Sequence, residues 1–222
     1  MHMQINVDLL IIGGGVNGAG IARDAAGRGL KVMLCEQGDL ASATSSASSK
    51  LIHGGLRYLE YYRFGFVREA LREREVLLGI APHIVWPARF IVPHDRGMRS
   101  AFAIEAGLFL YDWLSPRYRL GRSRRLDLRA AKEGAPLKDY LTTGFAYSDC
   151  RVDDARLVVL NAVDARERGA CIRTKTRCVS AKREQGLWQA TLLDTRAATT
   201  AAVTARVLVN AAGPFAAEVF NT

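Results

Sequence analysis

An apolar segment that runs directly into a glycine-rich turn most constrains how this chain can fold. Residues 8–12 are Asp-Leu-Leu-Ile-Ile, and residues 13–18 are Gly-Gly-Gly-Val-Asn-Gly. In a strand–turn–helix unit, Gly13 permits the tight turn, Gly15 lets the backbone approach a pyrophosphate, and Gly18 lets the helix pack closely on the strand. The N-terminus of that helix offers N–H groups and partial positive charge to phosphates. The pattern predicts a dinucleotide site, with a purely structural glycine turn as the alternative.

A second apolar segment, residues 31–36, follows the predicted helix and ends in an acid. Glu36 lies 18 residues after Gly18. In dinucleotide-binding folds a carboxylate about 20 residues beyond the turn binds the ribose hydroxyls. Because a carboxylate repels a 2′-phosphate, FAD or NAD is favoured over NADP.

Residues 43–60 are rich in hydroxyl side chains and glycines. By composition the segment could be a flexible serine linker. However, the serines lead directly into Lys50, His53 and a glycine pair. Such residues suit a loop that crosses a second phosphate or an isoalloxazine ring. The cofactor-binding residues predicted on this loop are Ser45, Ser46, Ser49, Lys50, His53, Gly54 and Gly55.

Composition and charge exclude several classes of protein. The chain has 222 residues, 49% hydrophobic and 24% charged, which is typical of a globular protein rather than a disordered one. Its net charge of +9 attracts phosphates, whether in a nucleotide, a phosphorylated metabolite, an anionic membrane or nucleic acid. Nucleic acid is the weakest of these partners because no nucleic-acid-binding motif is present, and we expect none.

Targeting signals and cysteines indicate a cytoplasmic protein. No signal peptide is evident, since residues 9–12 are too short an apolar run and glycines interrupt it. Residues 101–114 carry Glu105 and Asp112 and are too short for a spanning helix. The cysteines lack Cys-x-x-Cys or zinc spacing, so we expect reduced thiols and no metal site. They are Cys35, Cys150, Cys171 and Cys178.

Patterning predicts an α/β fold. Apart from the first strand, helix and second strand, we expect helices at residues 64–78, 100–114 (mainly buried) and 153–168, and strands at residues 88–92, 171–184, 187–195 and 203–210. The charges of the first of these helices are expected to form a solvated face. They are Arg68, Glu69, Arg72, Glu73, Arg74 and Glu75.

A basic stretch follows residues 100–114. It is either a solvated loop or a contact for anionic lipid head groups. Its arginines are Arg117, Arg119, Arg122, Arg124 and Arg125.

Three segments together resemble a known family. Residues 13–20, 44–60 and 147–157 look like those of the FAD-dependent, membrane-associated (aerobic) glycerol-3-phosphate dehydrogenases. The resemblance continues from about residue 7 to the C-terminus, and the stretch Ser-Ser-Lys-Leu-Ile-His-Gly-Gly-Leu-Arg-Tyr-Leu-Glu at residues 48–60 is highly specific to that family. The dinucleotide turn is shared by many flavoproteins.

The resemblance implies a domain organisation. We expect a Rossmann-like FAD-binding domain of the glycine oxidase and D-amino-acid oxidase type, formed by residues 1–80 and 147–222, and part of a substrate (cap) domain at residues 81–146. In such flavoproteins a late strand and small-residue turn return to the flavin. This similarity adds Ala212 and Gly213 to the predicted cofactor contacts.

The resemblance also implies a reaction, the oxidation of sn-glycerol 3-phosphate to dihydroxyacetone phosphate. A hydride passes to FAD and the electrons then pass to a quinone. The implied location is peripheral, on the anionic inner surface of the cytoplasmic membrane. A homodimer is the implied oligomeric state. The alternatives are a glycerol-3-phosphate oxidase that uses oxygen and a truncated, non-catalytic flavin-binding module.

Two residues beside the glycine pair are the predicted substrate contacts. The guanidinium of Arg57 matches phosphate oxygens, although a structural ion pair with Glu60 is the alternative. Tyr58 can add a hydroxyl hydrogen bond, with a core tyrosine as the alternative. His53 is a general base, a flavin contact or a structural histidine, so the catalytic base stays unassigned.

Members of the family continue well beyond residue 222 with more of the substrate domain. The sequence leaves open whether these residues are a fragment or a truncated gene product. We expect the isolated 222-residue chain to be inactive.

Overall fold

The strands and helices agree in type with most of the predicted elements. In this computed structural model, residues 5–114 and 119–220 are described. The strands are β1 (Ile5–Ile12), β2 (Val32–Cys35), β3 (Leu51–Ile52), β4 (Val85–Pro93), β5 (Arg124–Asp127), β6 (Thr143–Val152), β7 (Cys171–Arg173), β8 (Thr176–Glu184), β9 (Leu187–Asp194) and β10 (Thr199–Asn210). The helices are α1 (Val16–Gly27), α2 (Phe64–Ile80), α3 (Ala101–Leu114), α4 (Asp154–Glu167) and α5 (Ala216–Phe220).

The first of two units contains a six-stranded sheet with the order β7-β2-β1-β10-β9-β8. Strand β1 runs parallel to β2 and β10, β2 runs parallel to β7, and β8, β9 and β10 are antiparallel neighbours. The apolar end of β1 is buried on both faces, as expected for a central parallel strand. Helix α1 connects β1 to β2, which gives the βαβ arrangement of a Rossmann-like fold.

Small residues let α1 pack closely within this unit. Ala22, Ala25 and Ala26 are buried against Leu9 and Ile11 of β1. On another side of the helix, Ala19 packs with residues of α4. The short side chains bring the helix near the strand that precedes it, which places its N-terminus at the end of β1.

The second unit, Lys50–Asp153, contains a smaller antiparallel sheet. Strand β6 is its centre and pairs with β3, β4 and β5. Val67 and Leu71 of α2 and Tyr111 of α3 form a buried cluster, on which Tyr147 of β6 packs.

The unit boundaries differ from the expected ones. The chain divides after Ser49 and after Asp153, not after residues 80 and 146. The reason is that Leu51 and Ile52 pair with Arg151 and Cys150 of β6, which joins the segment after residue 49 to the smaller sheet. Which unit binds the cofactor and which binds the substrate stays a prediction.

Two predictions about side-chain exposure are wrong. Arg74 and Glu75 of α2 are buried, at 4% and 5% exposure, rather than part of a solvated face. They lie near Val67 and Leu71 around the helix and pair with each other, so burial leaves the guanidinium compensated. Helix α3 is not mainly buried, because the aromatic side chains Phe102, Phe109 and Trp113 are exposed while Leu108 and Tyr111 face the core.

Two predicted segments divide differently. Residues 171–184 form two strands, since Lys175 adopts a φ of 51°, and β7 joins β2 whereas β8 joins β9. The basic stretch is partly strand, because Arg124 and Arg125 begin β5. Arg117 lies outside the described residues.

Gly18 and Gly20 of α1 provide a matched test of the close packing. A Cβ on Gly18 would lie 1.9 Å from the carbonyl oxygen of Gly13, whereas a Cβ on Gly20 would meet nothing within 4 Å. We expect Gly18→Ala to lower the free energy of unfolding by about 1–3 kcal/mol or more. The control, Gly20→Ala, should leave it unchanged or raise it by up to about 1 kcal/mol. Urea unfolding of both variants of the complete gene product measures the difference. Equal stabilities would contradict the packing described for the turn.

Candidate functional site

The glycine-rich turn joins the ends of several parallel strands. Gly13 has a φ of +114°, and a Cβ there would lie 2.5 Å from the carbonyl oxygen of Ala211. The N–H of Gly13 donates to the carbonyl oxygen of Cys35 at 2.9 Å. The N–H of Ala211 donates to the carbonyl oxygen of Ile12 at 2.8 Å. The turn is therefore anchored to the ends of both β2 and β10, and only glycine fits at its first position.

Glu36 is anchored beside the turn by two backbone groups. Its Oε2 accepts a hydrogen bond from the N–H of Gly14, and its Oε1 accepts one from the N–H of Gly38, both at 2.7 Å. A carboxylate oxygen has more than one acceptor site, so each oxygen can still accept from a ribose hydroxyl. The geometry fits the role predicted for Glu36. The glycine pattern does not single out Gly14, yet a Cβ there would lie 2.8 Å from the Cβ of Glu36.

The N-terminus of α1 meets the serine loop. The N–H of Val16, the first residue of the helix, donates to Oγ of Ser45 at 2.9 Å. A Cβ on Gly15 would lie 3.0 Å from the same oxygen. Further along the loop, Ser48 donates to Oδ2 of buried Asp154 at 2.7 Å, which anchors the loop to the start of α4. Helix N–H groups and a serine hydroxyl thus lie where a phosphate is expected.

A cavity of about 430 Å³ lies in the first unit beside these groups. Its volume is within the usual range for cofactor sites. The cavity is bordered by the turn, the end of β2, the serine loop, the start of β8 and the turn after β10. Its lining includes Gly13, Gly14, Gly15, Glu36, Ser42, Ser45, Thr176, Arg177, Cys178, Ala212, Gly213 and Phe215. Small residues, a ribose-type carboxylate and helix N–H groups fit a dinucleotide cofactor. Arg177 and Phe215 belong to no recognisable motif, so the sequence gives no signal for them.

Most residues predicted in the first unit come together here. Gly13, Gly15, Glu36, Ser45, Ala212 and Gly213 border the cavity. Gly18 lies beneath the turn, against Gly13. Ser46 and Ser49 are exposed and are not part of the described lining. Lys50, His53, Gly54 and Gly55 belong to the second unit. The cofactor roles of all these residues stay predictions.

The predicted substrate residues lie on a glycine-anchored loop in the second unit. Gly55 has a φ of +70° and precedes a 3₁₀ helix, Leu56–Tyr61, which carries Arg57 and Tyr58. Arg57 is exposed, and Glu60 pairs with Arg99 at 3.4 Å instead. Within the described part of the chain, Arg57 therefore has no ion pair with Glu60. Its guanidinium is placed on the surface of the loop.

Two other side chains of the loop have defined environments. Tyr58 is 45% exposed and packs edge-on against Phe66, with ring centroids 4.9 Å apart, so it is not a core tyrosine. Nδ1 of His53 accepts the N–H of Gly55 at 3.0 Å. The neutral ring with this bond carries its proton on Nε2. This arrangement disfavours His53 as the general base in this conformation.

The cysteines are free thiols, as expected. Cys35 and Cys178 border the cavity. The pKa of Cys35 is raised to about 12, mainly by burial and to a smaller extent by the nearby Cys178 and Glu36. Burial also raises the pKa of Cys178. Both thiols are thus poor nucleophiles at neutral pH.

Within residues 5–114 and 119–220, no group of three or more His, Cys, Asp or Glu side chains is placed to hold a metal ion. No helix within them is long and apolar enough to span a membrane.

The fold and the turn define a Rossmann-like dinucleotide-binding protein, and comparison with known proteins specifies the family. Residues 8–222 match the model of the DAO family, described as FAD-dependent oxidoreductases. The chain belongs to this family, and the cofactor of the family is FAD. The predicted fold class and cofactor are confirmed.

Two curated relatives are similar over nearly all of this chain. It is 60% identical to glycerol-3-phosphate dehydrogenase of Pseudomonas aeruginosa over 210 residues, which are 95% of this chain and 40% of that protein. It is 58% identical to D-erythritol 1-phosphate dehydrogenase of Brucella abortus over 214 residues, which are 96% of this chain and 43% of that protein. The chain therefore spans about two fifths of the length of these relatives. The suspected resemblance is confirmed.

Solved structures agree with these relatives. Glycerol-3-phosphate dehydrogenase from Bacillus halodurans, solved in complex with FAD, has a TM-score of 0.70 and 31% identity; the match covers 95% of this chain and 35% of that one. Glycine oxidase from Geobacillus kaustophilus has a TM-score of 0.68 and 22% identity; the match covers 100% of this chain and 58% of that one. The second similarity shows the fold alone, which is the glycine oxidase type.

Glu36 provides the most direct test of the cavity. We expect Glu36→Gln to raise the dissociation constant for FAD roughly 10- to 100-fold, the loss that corresponds to a hydrogen bond with a charged group. The substituted amide has only one acceptor oxygen, so it cannot satisfy the N–H groups of both Gly14 and Gly38 and a ribose. Titration of the apoprotein with FAD, followed by flavin fluorescence, measures this constant. Glu184→Gln, at an exposed position on β8, is the control. An unchanged constant for Glu36→Gln would remove Glu36 from the site.

Proposed function

We propose that the protein containing this chain oxidises sn-glycerol 3-phosphate to dihydroxyacetone phosphate and passes the electrons to a quinone. The observation that carries the choice of substrate is the high identity with a glycerol-3-phosphate dehydrogenase over nearly the whole chain. The exposed guanidinium of Arg57, on a loop whose sequence resembles that of such enzymes, is consistent with a phosphorylated substrate.

The proposed cofactor contacts follow from the cavity. Glu36 holds the ribose of FAD, and the N-terminus of α1 with Gly13, Gly15 and Ser45 holds the pyrophosphate. FAD, when bound, supplies the acceptor for the hydride from the substrate carbon. Binding is proposed to be non-covalent, because no His or Cys of the sequence occupies an evident tethering motif. Further proposed contacts are Gly18, Ser46, Ser49, Lys50, His53, Gly54, Gly55, Ala212 and Gly213.

In the proposed substrate site, Arg57 binds either the phosphate or the alcohol oxygen as charge develops there. Tyr58 adds a hydroxyl that can donate to or accept from the substrate. The oxidation also releases the alcohol proton, and its acceptor is unassigned. The oxygen-using oxidase is the alternative for the acceptor of the electrons.

The proposed location is peripheral, at the anionic inner face of the cytoplasmic membrane. The net charge of +9 supports attraction to an anionic surface. Four arginines of the basic stretch are exposed, namely Arg119, Arg122, Arg124 and Arg125. A homodimer is part of the same proposal. We also propose that the 222 residues alone do not turn over, because relatives are more than twice as long.

One observation favours a second substrate. The identity with D-erythritol 1-phosphate dehydrogenase, 58%, is almost the same as with the glycerol-3-phosphate enzyme. Both substrates are polyol monophosphates, so the phosphate contact proposed for Arg57 serves either of them. The two substrates differ in the length of the polyol chain.

Anaerobic reduction of the bound flavin tests the proposed reaction. We expect sn-glycerol 3-phosphate to bleach the oxidised flavin band of the complete gene product, and a soluble quinone to restore it. D-Erythritol 1-phosphate, glycerol and air are the comparison arms. Faster bleaching by the erythritol phosphate would assign the second substrate, and recovery in air as fast as with quinone would assign an oxidase. Bleaching by neither phosphate would refute the proposal.

Arg57→Lys tests the substrate contact, since it keeps the charge and loses the forked geometry. If Arg57 holds the phosphate, KM should rise. If it holds the developing alkoxide, kcat should fall by roughly 10²-fold. Flavin content should stay normal, and Arg63→Lys, at an exposed position beyond the 3₁₀ helix, is the control. Unchanged kinetic constants for both Arg57→Lys and Arg57→Ala would show that Arg57 is structural.

A further inference from the structure

A buried polar network lies behind the loop that carries Arg57. Asp149 of β6 accepts hydrogen bonds from the hydroxyl of Tyr111 at 2.9 and 3.0 Å and from Nη1 of Arg74 at 2.8 Å. Nη2 of Arg74 donates to Oε1 of Glu75 at 2.9 Å. The side chains of Arg74 and Asp149 are only 5% and 4% exposed. Moving such charges from water into the protein costs free energy, which indicates that the network has a role besides packing.

Tyr111 connects this network to the backbone of the loop. A carboxylate can only accept, so the hydroxyl proton of Tyr111 is directed at Asp149. The hydroxyl oxygen then accepts the N–H of Gly54 at 2.7 Å. This bond is buried and spans 57 residues of sequence. The hydroxyl therefore serves as donor and acceptor at once, and Asp149 fixes its orientation.

The loop backbone fits tightly against the same hydroxyl. A Cβ on Gly54 would lie 2.6 Å from the Tyr111 oxygen and 2.4 Å from Cδ2 of Leu71. The next residue, Gly55, takes its left-handed conformation there and starts the 3₁₀ helix with Arg57. The position of Gly54 thus sets where the helix begins and in which direction its first side chains extend.

We propose that Tyr111 is a positioning residue, which acts with Asp149 and Arg74 to hold Gly54 and thereby set the direction of Arg57 towards the phosphate of the substrate. This inference rests on the proposed function, since it gives Arg57 a phosphorylated ligand. Tyr111 is 1% exposed, so its proposed action passes through the backbone of Gly54.

Gly54, Arg74, Tyr111 and Asp149 together form a hydrogen-bonded clamp on the loop. Burial and the neighbouring Asp149 raise the pKa of Tyr111, so the hydroxyl keeps the proton that it donates. Burial raises the pKa of Asp149 above its usual value, although the hydrogen bonds from Arg74 and Tyr111 lower it in part. The hydrogen bonds that Arg74 and Tyr111 donate to Asp149, at 2.8–3.0 Å, hold the clamp together.

Tyr147 provides a matched control from the same cluster. Its ring packs edge-on against Tyr111, with centroids 6.3 Å apart, and stacks on Phe90 at 5.3 Å. Within residues 5–114 and 119–220, its hydroxyl makes no hydrogen bond to the loop. Tyr147→Phe removes this hydroxyl and keeps the ring that packs on Tyr111, so no hydrogen bond of the clamp is lost.

Steady-state kinetics of Tyr111→Phe and Tyr147→Phe in the complete gene product test the proposal. For Tyr111→Phe we expect KM for sn-glycerol 3-phosphate to rise about tenfold, with normal flavin content, because one buried hydrogen bond to the loop is lost. For Tyr147→Phe we expect less than a twofold change. If both variants keep the KM of the parent protein, or both raise it equally, the positioning role is refuted.

Amide hydrogen exchange gives a readout that is independent of the substrate. In the parent protein the Gly54 amide should be protected, and this measurement needs no variant to fold. In Tyr111→Phe the peptide of residues 53–58 should exchange faster while β6 keeps its rate. An unprotected Gly54 amide, or faster exchange throughout the unit, overturns the proposal. If neither polyol phosphate reduces the flavin, the proposed function fails, and exchange alone then decides whether the clamp exists.

Discussion

The first unit depends on the close contact of a strand, a turn and a helix around Gly13. A side chain at Gly13 would meet the backbone of Ala211, and one at Gly18 would meet that of Gly13. Because both positions lack a Cβ, the ends of β1, β2 and β10 and the start of α1 meet at one edge of the sheet. The same contact places Glu36 where the N–H groups of Gly14 and Gly38 hold its carboxylate. The cavity follows from this arrangement.

In the second unit, one buried network has the comparable role. Residues distant in sequence, Gly54, Arg74, Tyr111 and Asp149, meet through a continuous set of hydrogen bonds. Burying these charges is unfavourable unless they are paired, and Arg74 pairs with both Asp149 and Glu75. An arginine that binds a phosphate through two parallel hydrogen bonds needs a fixed direction, since its fork is planar. A rigid loop behind Arg57 is one way to provide that direction.

Local patterns predicted the parts of the fold that local physics determines. The apolar run and the glycine spacing predicted β1 and α1 correctly, since each depends on nearby residues. The acid after β2 lies beside the turn, and its cofactor role stays a prediction. The solvated face predicted for Arg74 and Glu75 was wrong, because their burial depends on Asp149, 75 residues beyond Arg74. The compact units divide after Ser49 rather than after residue 80, because the two residues of β3 pair with β6 and have no strand pattern of their own. The exposed side of α3 could not be predicted, because apolar residues such as Phe102, Leu108 and Trp113 occur on both its buried and its exposed sides.

We propose that the cavity beside Gly13 binds the adenosine and pyrophosphate portions of FAD. A crystal structure of the complete gene product with FAD tests it most directly. In that structure a ribose hydroxyl is expected within about 2.6–3.2 Å of a Glu36 carboxylate oxygen. The pyrophosphate is expected at the N-terminus of α1. FAD bound elsewhere, with Glu36 still engaged only by Gly14 and Gly38, would contradict it.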